Sequence, residues 1–276
     1  MTTLLDGLQR YYRLDSNGTE EVSAQNGVPT GSVTYSAGKR GTAANFNHDT
    51  ARRIVAPGLD LVTDITISMW VFPTTTGSFA GILTHQLGAG GVDTNYHINW
   101  NGTGIGLYGT GNVSPGTSTL PLNAWSHFVM TRTTTGAVKY FVNGSQTLTA
   151  TTAGPHSVPT ADLWIGNRPD LFDAFPGLVD EVGIWNVILP QEAIIALYAE
   201  GGTPPDYTNF GDPLPEAQEF LPLDLFAQNL AGQNIDLLTI DLSCHPRGQQ
   251  RMPTERFSSL YDKPSGGSSK FNPGFN

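Results

Sequence analysis

Short runs in which apolar and polar residues alternate recur from residue 1 to about 188, separated by clusters of Gly, Asn, Pro and Thr. In one such run, ITISMWVF, the apolar residues at alternate positions are Ile65, Ile67, Met69 and Val71. Because successive side chains of a strand point to opposite faces, this pattern places four apolar side chains on one face of a sheet. Many short strands at this spacing predict an all-β sandwich or jelly roll.

The strands predicted from this alternation are Leu8–Leu14, Ala43–Phe46, Ile65–Phe72, Gly81–Thr84, Tyr96–Trp100, Gly104–Tyr108, Trp125–Arg132, Val138–Val142, Leu163–Ile165 and Gly177–Trp185. A hairpin turn is predicted at Asn143-Gly144, since both central residues of a type I′ turn need positive φ. One helix follows at Pro190–Glu200, where Pro opens the first turn and Gly201-Gly202 ends it. Its predicted buried residues are Ile194, Ile195, Leu197 and Tyr198.

Composition narrows the classes of function. Charged residues make up 14% of the chain, and 32 Gly and 19 Pro are typical of a turn-rich β protein. A net charge of −10 argues against nucleic acid or an anionic membrane as partner, because both need a basic surface. The single cysteine, Cys244, excludes an internal disulfide. We expect no secretion signal and no membrane insertion, since the chain has neither a signal-like start nor an apolar run of about 18 residues.

A set of short motifs in a fixed order resembles the laminin-G-like family of concanavalin A-like lectins and glucanases. They are Tyr11–Asp15 (YYRLD), Gly41–Phe46 (GTAANF), Ile65–Phe72, Trp125–Arg132, Tyr140–Gly144 (YFVNG), Leu163–Asn167 (LWIGN), Phe175–Asn186 (FPGLVDEVGIWN) and the closing helix. The resemblance implies two antiparallel sheets in jelly-roll topology. It covers a predicted domain of residues 1–202 and nothing after Gly202.

The spacing of carboxylates along a strand indicates whether glycoside hydrolysis is expected. Glucanases of this fold use carboxylates at alternate positions of one strand, because only residues i and i+2 share a strand face. Here Asp180 and Glu181 are adjacent, which predicts that they point to opposite faces. We therefore predict that the protein is not an enzyme, with a glycan hydrolase as the disfavoured alternative.

A calcium ion is the one cofactor that the resemblance suggests. Laminin-G-like sandwiches often carry such a site, and Asp15 and Asp180 lie in motifs that meet across the terminal strands in the family. Hard cations prefer clusters of carboxylate and carbonyl oxygens. The alternative is structural: Asp15 caps a turn, and Asp180 pairs with a loop amide or an arginine.

Asn99, Trp100, Asn101 and Tyr108 are the candidate glycan-binding residues, because they lie beside a Gly-rich loop. An aromatic ring that stacks on a sugar, with amide groups that bond its hydroxyls, gives the apolar wall and few polar groups typical of small-ligand sites. The alternative for these residues is half-buried packing on the sheet. In the strand WSHFVMTR, His127 occupies a position where the family commonly has His, and we expect it to pack or to bond the backbone.

The composition changes after Gly202, where Thr203-Pro204-Pro205 predicts a stiff linker to a Pro-rich arm of residues 203–276. Two apolar segments interrupt the arm, Phe220–Leu230 and Ile235–Leu242. A lone strand flanked by Pro and Gly cannot bury enough surface to fold alone, so we expect the arm to dock on a partner or to oligomerise. The predicted docking residues are Phe220, Leu223, Phe226, Leu230, Leu238, Ile240 and Leu242.

A lectin-like head followed by a docking arm resembles accessory structural proteins of bacteriophage virions. The leading hypothesis is therefore a multi-copy virion component, made in the host cytoplasm, whose arm binds other virion proteins and whose head faces outward to touch cell-surface glycans. This inference rests on architecture. The alternative is a cellular or exported carbohydrate-binding lectin whose arm serves oligomerisation.

Overall fold

A computed structural model describes residues 3–76, 79–87, 93–108, 112–113, 118–152, 160–171 and 173–198. The strands are β1 (Leu8–Tyr12), β2 (Val28–Thr30), β3 (Thr34–Ala37), β4 (Thr42–Asn45), β5 (Arg53–Ala56), β6 (Ile65–Pro73), β7 (Ala80–Leu87), β8 (Asp93–Trp100), β9 (Ile105–Tyr108), β10 (Ser126–Arg132), β11 (Ala137–Val142), β12 (Ser145–Thr151), β13 (Leu163–Ile165) and β14 (Gly177–Trp185). One helix follows, α1 (Gln191–Tyr198). The predicted arm and its docking residues lie outside the described residues.

The strands form two antiparallel sheets. The eight-stranded sheet has the order β12-β11-β10-β6-β14-β4-β3, and β1 also pairs with β14. The six-stranded sheet has the order β2-β5-β13-β7-β8-β9. This arrangement confirms the predicted all-β, two-sheet sandwich with one short helix.

The main core lies between the two sheets. The alternate residues of β6, from Ile65 to Val71, are fully buried there, as their spacing predicts. The six-stranded sheet contributes Ile98, Trp100 and Leu163 to the same cluster. Full burial of each such side chain stabilises the fold by roughly 1.5–3 kcal/mol. Because the inner faces of the two sheets pack together in this core, a ligand can reach only their outer faces or their edges.

Helix α1 covers the outer face of the eight-stranded sheet. Its buried residues Ala193, Ile194 and Leu197 join a second apolar cluster with Trp185. The prediction that Ile195 is buried was wrong, since this side chain is 49% exposed. Ile194 and Leu197 share the buried face of the helix, and Ile195 lies on the face that is exposed to solvent. Among the described residues, no helix is long and apolar enough to cross a membrane.

A tight turn joins β11 to β12. Asn143 and Gly144 have φ of 50° and 76°, as the predicted hairpin turn requires. The sequence did not reveal β12 itself (SQTLTAT), because this strand at the sheet edge has only two apolar residues, Leu148 and Ala150, which pack half-buried against the core.

Candidate functional site

The outer face of the six-stranded sheet carries a row of side chains that runs across four strands. Trp164 on β13 pairs in register with Thr84 on β7, Thr84 with His97 on β8, and His97 with Tyr108 on β9. These positions alternate with core residues such as Ile98 and Leu107, so they point away from the core. A cleft opens at each end of this row.

The first cleft, here called the Phe79–Tyr108 cleft, has a volume of about 230 Å³. Its lining residues are Phe79, Asn99, Asn101, Gly106, Leu107, Tyr108, Asn112 and Val113. The rings of Phe79 and Tyr108 meet edge to face, with centroids 6.0 Å apart. Two aromatic walls and three amides therefore surround one small space, which has room for a sugar ring rather than for a drug-sized ligand.

Local backbone geometry gives this cleft its shape. Gly106 lies directly opposite Asn99 in the β8–β9 ladder, so no side chain fills the outer face beside this amide. The side-chain oxygen of Asn101 accepts the main-chain N–H of Gly104 at 3.2 Å, which holds the turn and leaves the amide nitrogen for a ligand. Phe79 has φ of 57°, an uncommon conformation for a non-glycine residue, and such strain is often found at functional sites.

Trp100 does not belong to this cleft, and its predicted role in sugar stacking was wrong. Its side chain is fully buried in the main core, where its indole N–H donates to the carbonyl of Thr75 at 3.2 Å. The reason is strand alternation: Trp100 is the last residue of β8, and its neighbours Asn99 and Asn101 line the outer cleft, so Trp100 points inward. The other three predicted residues, Asn99, Asn101 and Tyr108, are brought together.

Sequence reasoning missed the Phe79 ring and the Asn112 amide of the cleft. Phe79 is 50% exposed and stands just before β7, while Asn112 comes from the loop after β9. Neither residue lies in an alternating pattern. The usable signal for Phe79 was a large aromatic residue directly after Gly-Ser, a context in which core residues are uncommon.

The second cleft, here called the Trp164 cleft, has a volume of about 450 Å³. Its lining residues are Pro57, Gly58, Asp60, Gln86, Thr160, Ala161, Asp162, Trp164 and Pro169. Asn167 and Arg168 pack against β7, between the two ends of the row. The Asn167 carbonyl accepts the hydroxyl of Thr84 at 2.7 Å, and Arg168 pairs with Asp170 while donating to the Phe79 carbonyl at 3.4 Å.

Asp180 and Glu181 lie on the same face of the eight-stranded sheet, so the prediction of opposite faces was wrong. A β-bulge interrupts β14 between Asp180 and Gly183, and Glu181 adopts φ of 52°. The extra residue turns both carboxylates outward. The hydroxyl of Tyr11 donates to Glu181, and the Arg40 guanidinium lies 3.8 Å from the same carboxylate.

This acidic pair is sealed beneath the turn between β3 and β4. Asp180 is fully buried and Glu181 is 5% exposed. Burial raises the pKa of Asp180 to about 8; a main-chain N–H of Arg40 opposes the shift, and the charge of Glu181 adds to it. The cavity beside Glu181 measures about 10 Å³, room for at most one water molecule. A sugar therefore cannot reach the pair in this conformation.

The two residues of the expected calcium site both hold this turn. Asp15 Oδ1 accepts the main-chain N–H of Thr42 at 2.7 Å, and Asp180 Oδ2 accepts that of Arg40 at 3.0 Å. These are the turn and loop-amide contacts of the structural alternative. Over the described ranges, no group of three or more His, Cys, Asp and Glu side chains is arranged to hold a metal ion. Calcium at Asp15 and Asp180 stays a prediction.

His127 packs on the same face. Its Nε2 lies 2.8 Å from the hydroxyl of Ser68, and its ring contacts Trp70 and stacks on Tyr198. Burial, followed by the nearby charges of Arg40 and Lys39, lowers the pKa of His127 to about 3. The ring is therefore neutral at physiological pH and serves packing, in line with its predicted role.

Comparison with protein families identifies the class of protein. Residues 47–195 match the laminin G model of the concanavalin A-like lectin/glucanases superfamily. Since the match covers more than half of the chain, the protein belongs to this superfamily. No sequence among the curated proteins matches it.

Solved structures share the fold. Domain 4 of AbnA, a GH43 extracellular arabinanase from Geobacillus stearothermophilus, has 22% identity and a TM-score of 0.58, over 70% of this chain and 98% of that domain. The binding domain of Paraclostridial Mosquitocidal Protein 1 has 14% identity and a TM-score of 0.56, over 71% of this chain and 52% of that one. The receptor binding domain of botulinum neurotoxin C/D mosaic serotype has 12% identity and a TM-score of 0.54, over 70% of this chain and 51% of that one. This chain thus spans about half of the two toxin domains, and the likeness shows the fold alone.

Proposed function

We propose that the protein is a non-enzymatic, lectin-like module that binds a neutral sugar in the Phe79–Tyr108 cleft. The observation that carries this proposal is the composition of the cleft: two aromatic rings beside the amides of Asn99, Asn101 and Asn112. Apolar walls with a few convergent polar groups are the usual form of a small-ligand site.

The lining also favours an uncharged ligand. Its described residues include no Asp, Glu, Lys or Arg, so a charged sugar gains no ionic partner there. His97, whose ring meets Tyr108 at 5.5 Å, adds no charge, because burial and then the nearby Arg168 lower its pKa to about 3.

Two similar structures support a carbohydrate ligand. The arabinanase domain was solved in complex with arabinotriose. The binding domain of botulinum neurotoxin DC, with 10% identity and a TM-score of 0.52, was solved in complex with SialylT. The sealed Asp180–Glu181 pair supports a role in binding without hydrolysis.

The glycan-binding proposal is tested by screening the full chain against neutral oligosaccharides and measuring affinity by calorimetry. We expect Tyr108→Ala or Phe79→Ala to weaken binding about tenfold or more, which corresponds to about 1.4 kcal/mol. Ile195→Ala is the matched control for Phe79, because Ile195 is 49% exposed and lies on the helix α1. Binding that survives both aromatic substitutions would place the glycan elsewhere, and the absence of any bound neutral sugar would refute the proposal.

We further propose that the module is a multi-copy component of a bacteriophage virion, anchored through residues 203–276. Support comes from the arm, whose apolar segments Phe220–Leu230 and Ile235–Leu242 alternate with Pro-rich sequence. The test compares incorporation of the full chain and of a chain ending at Gly202 into purified particles. Equal incorporation of both would remove the anchoring role, and a chain that assembles with no particle would favour a cellular or exported lectin.

A further inference from the structure

The Trp164 cleft is walled by segments that are far apart in the sequence but in direct contact. A Cβ added at Gly58 would stand 1.9 Å from the carbonyl oxygen of Ala161, so only glycine allows these two walls to touch. Pro57 and Pro169, whose φ angles are fixed by their rings, complete the rim. Walls held in place before a ligand arrives reduce the ordering cost of binding.

Two carboxylates face this cleft, at Asp60 and Asp162. The Asp60 side chain is 52% exposed, and its Oδ1 lies 3.2 Å from Nε2 of the buried His85. Burial lowers the pKa of His85, so its ring stays neutral at physiological pH and does not cancel the charge of Asp60. Among the described residues that line the cleft there is no Lys or Arg. The described lining of the cleft therefore has a net negative charge.

Trp164 is the aromatic residue that lines this cleft among the described residues. The Arg53 guanidinium lies over the ring, 5.3 Å from its centroid. Strand register places Arg53 beyond the Ile165 end of β13, whereas Pro57 and Asp162 lie beyond its other end. Arg53 and these cleft residues therefore lie toward opposite ends of β13, and the Trp164 ring, which lines the cleft, is half-buried and thus partly exposed.

We propose that the Trp164 cleft is a second ligand site, separate from the Phe79–Tyr108 cleft, and that it binds an amine-bearing sugar. The carboxylates of Asp60 and Asp162 attract an ammonium group and accept its hydrogen bonds. The indole of Trp164 offers an apolar surface to the sugar ring and attracts a nearby cation through its π system. The same charges repel uronic and sialic acids, and the chain's net charge of −10 acts in the same direction.

The test compares two ligands of equal length, an oligomer of glucosamine and one of N-acetylglucosamine, by calorimetry on the full chain at about pH 6, where free amines are protonated. Acetylation removes the charge and keeps the ring, so the ratio of the two affinities reports the ammonium contact. We expect the glucosamine oligomer to bind more tightly, and each of Asp60→Asn and Asp162→Asn to weaken it about two- to fivefold, the range of exposed ion pairs. A higher salt concentration should screen the attraction between ammonium and carboxylate groups and bring the two affinities closer together.

Glu192→Gln is the matched control, since it removes one negative charge on helix α1, away from the cleft. Trp164→Ala should weaken both oligomers, and Tyr108→Ala should leave the preference for the amine unchanged. Equal binding of the two oligomers, no binding of either, or an amine preference that persists in the Asp60→Asn/Asp162→Asn double variant would overturn the proposal. A preference lost only in Tyr108→Ala would assign the amine to the other cleft.

Discussion

Replacing Asp180 by Asn tests whether the acidic pair is a structural element whose stability depends on pH. In the folded chain the pKa of Asp180 is raised from 3.8 to about 8, chiefly by burial. A carboxyl with a raised pKa gives its full contribution to stability below the unfolded pKa, and that contribution is lost as the pH rises through the folded pKa. The wild-type protein should therefore become less stable between about pH 4 and pH 8.

The expected change in the free energy of unfolding follows from the change in the pKa of Asp180. About four pKa units at about 1.4 kcal/mol each give an upper bound of about 6 kcal/mol, and water entry on ionisation lowers the measured value. The substituted asparagine cannot ionise, and its carbonyl still accepts the Arg40 main-chain N–H that Asp180 Oδ2 accepts at 3.0 Å. The variant should match the wild type below about pH 4 and be more stable at about pH 9.

The assay is urea unfolding followed by tryptophan fluorescence across this pH range, with Asp49→Asn as an exposed control. The quantity compared at each pH is the difference in the free energy of unfolding between wild type and Asp180→Asn, because Glu181 and Tyr11 also titrate with raised pKa values. A difference that stays constant with pH would refute the reasoning, since it would show that Asp180 is ionised throughout.

If Asp15 and Asp180 share a calcium ion, a chelator should lower the melting temperature of the wild type and leave that of Asp15→Asn unchanged, because an ion bound to the native state stabilises it by mass action; no shift in the wild type, or an equal shift in the variant, would remove the site. Gly166→Ala should destabilise the fold by about 3 kcal/mol or more in urea unfolding, since φ is +84° and the new Cβ would stand 2.2 Å from the ring of Phe46. No β-glucan should be hydrolysed; turnover that disappears in Glu181→Gln would contradict this. A chain ending at Gly202 should melt like the full chain in calorimetry, whereas a truncation that unfolds would make the arm part of the head.

The central strands could be predicted because their apolar residues form recognisable runs in the sequence. β14 is buried along its whole length and β6 at every position except Phe72, and the predicted bounds of both strands are close to those in the structure. β2, β3 and β12 were missed because they are edge strands that bury little. β5 was also missed, because four residues are too few to show a clear alternation in the sequence.

The candidate site could be predicted only where its residues lie on strands that are neighbours in the sequence. Asn99, Asn101 and Tyr108 were found because β8 and β9 are adjacent in sequence and in the sheet. The Trp164 cleft could not be found in this way, since its walls come from the segments 57–60, 86, 160–164 and 169. The bulge at Glu181 is likewise invisible in the letters VDEVG, and it reversed the predicted direction of one carboxylate.

The position of α1 determines on which side of the sandwich a tether at the end of this helix is attached. The helix ends at Tyr198, which stacks on Trp70 on the outer face of the eight-stranded sheet, whereas both clefts open on the outer face of the six-stranded sheet. A bead, a fluorophore or a fused scaffold attached just after Tyr198 thus starts from the far side of the sandwich. Copies tethered at this point would gain avidity for a polysaccharide without any change in their individual contacts.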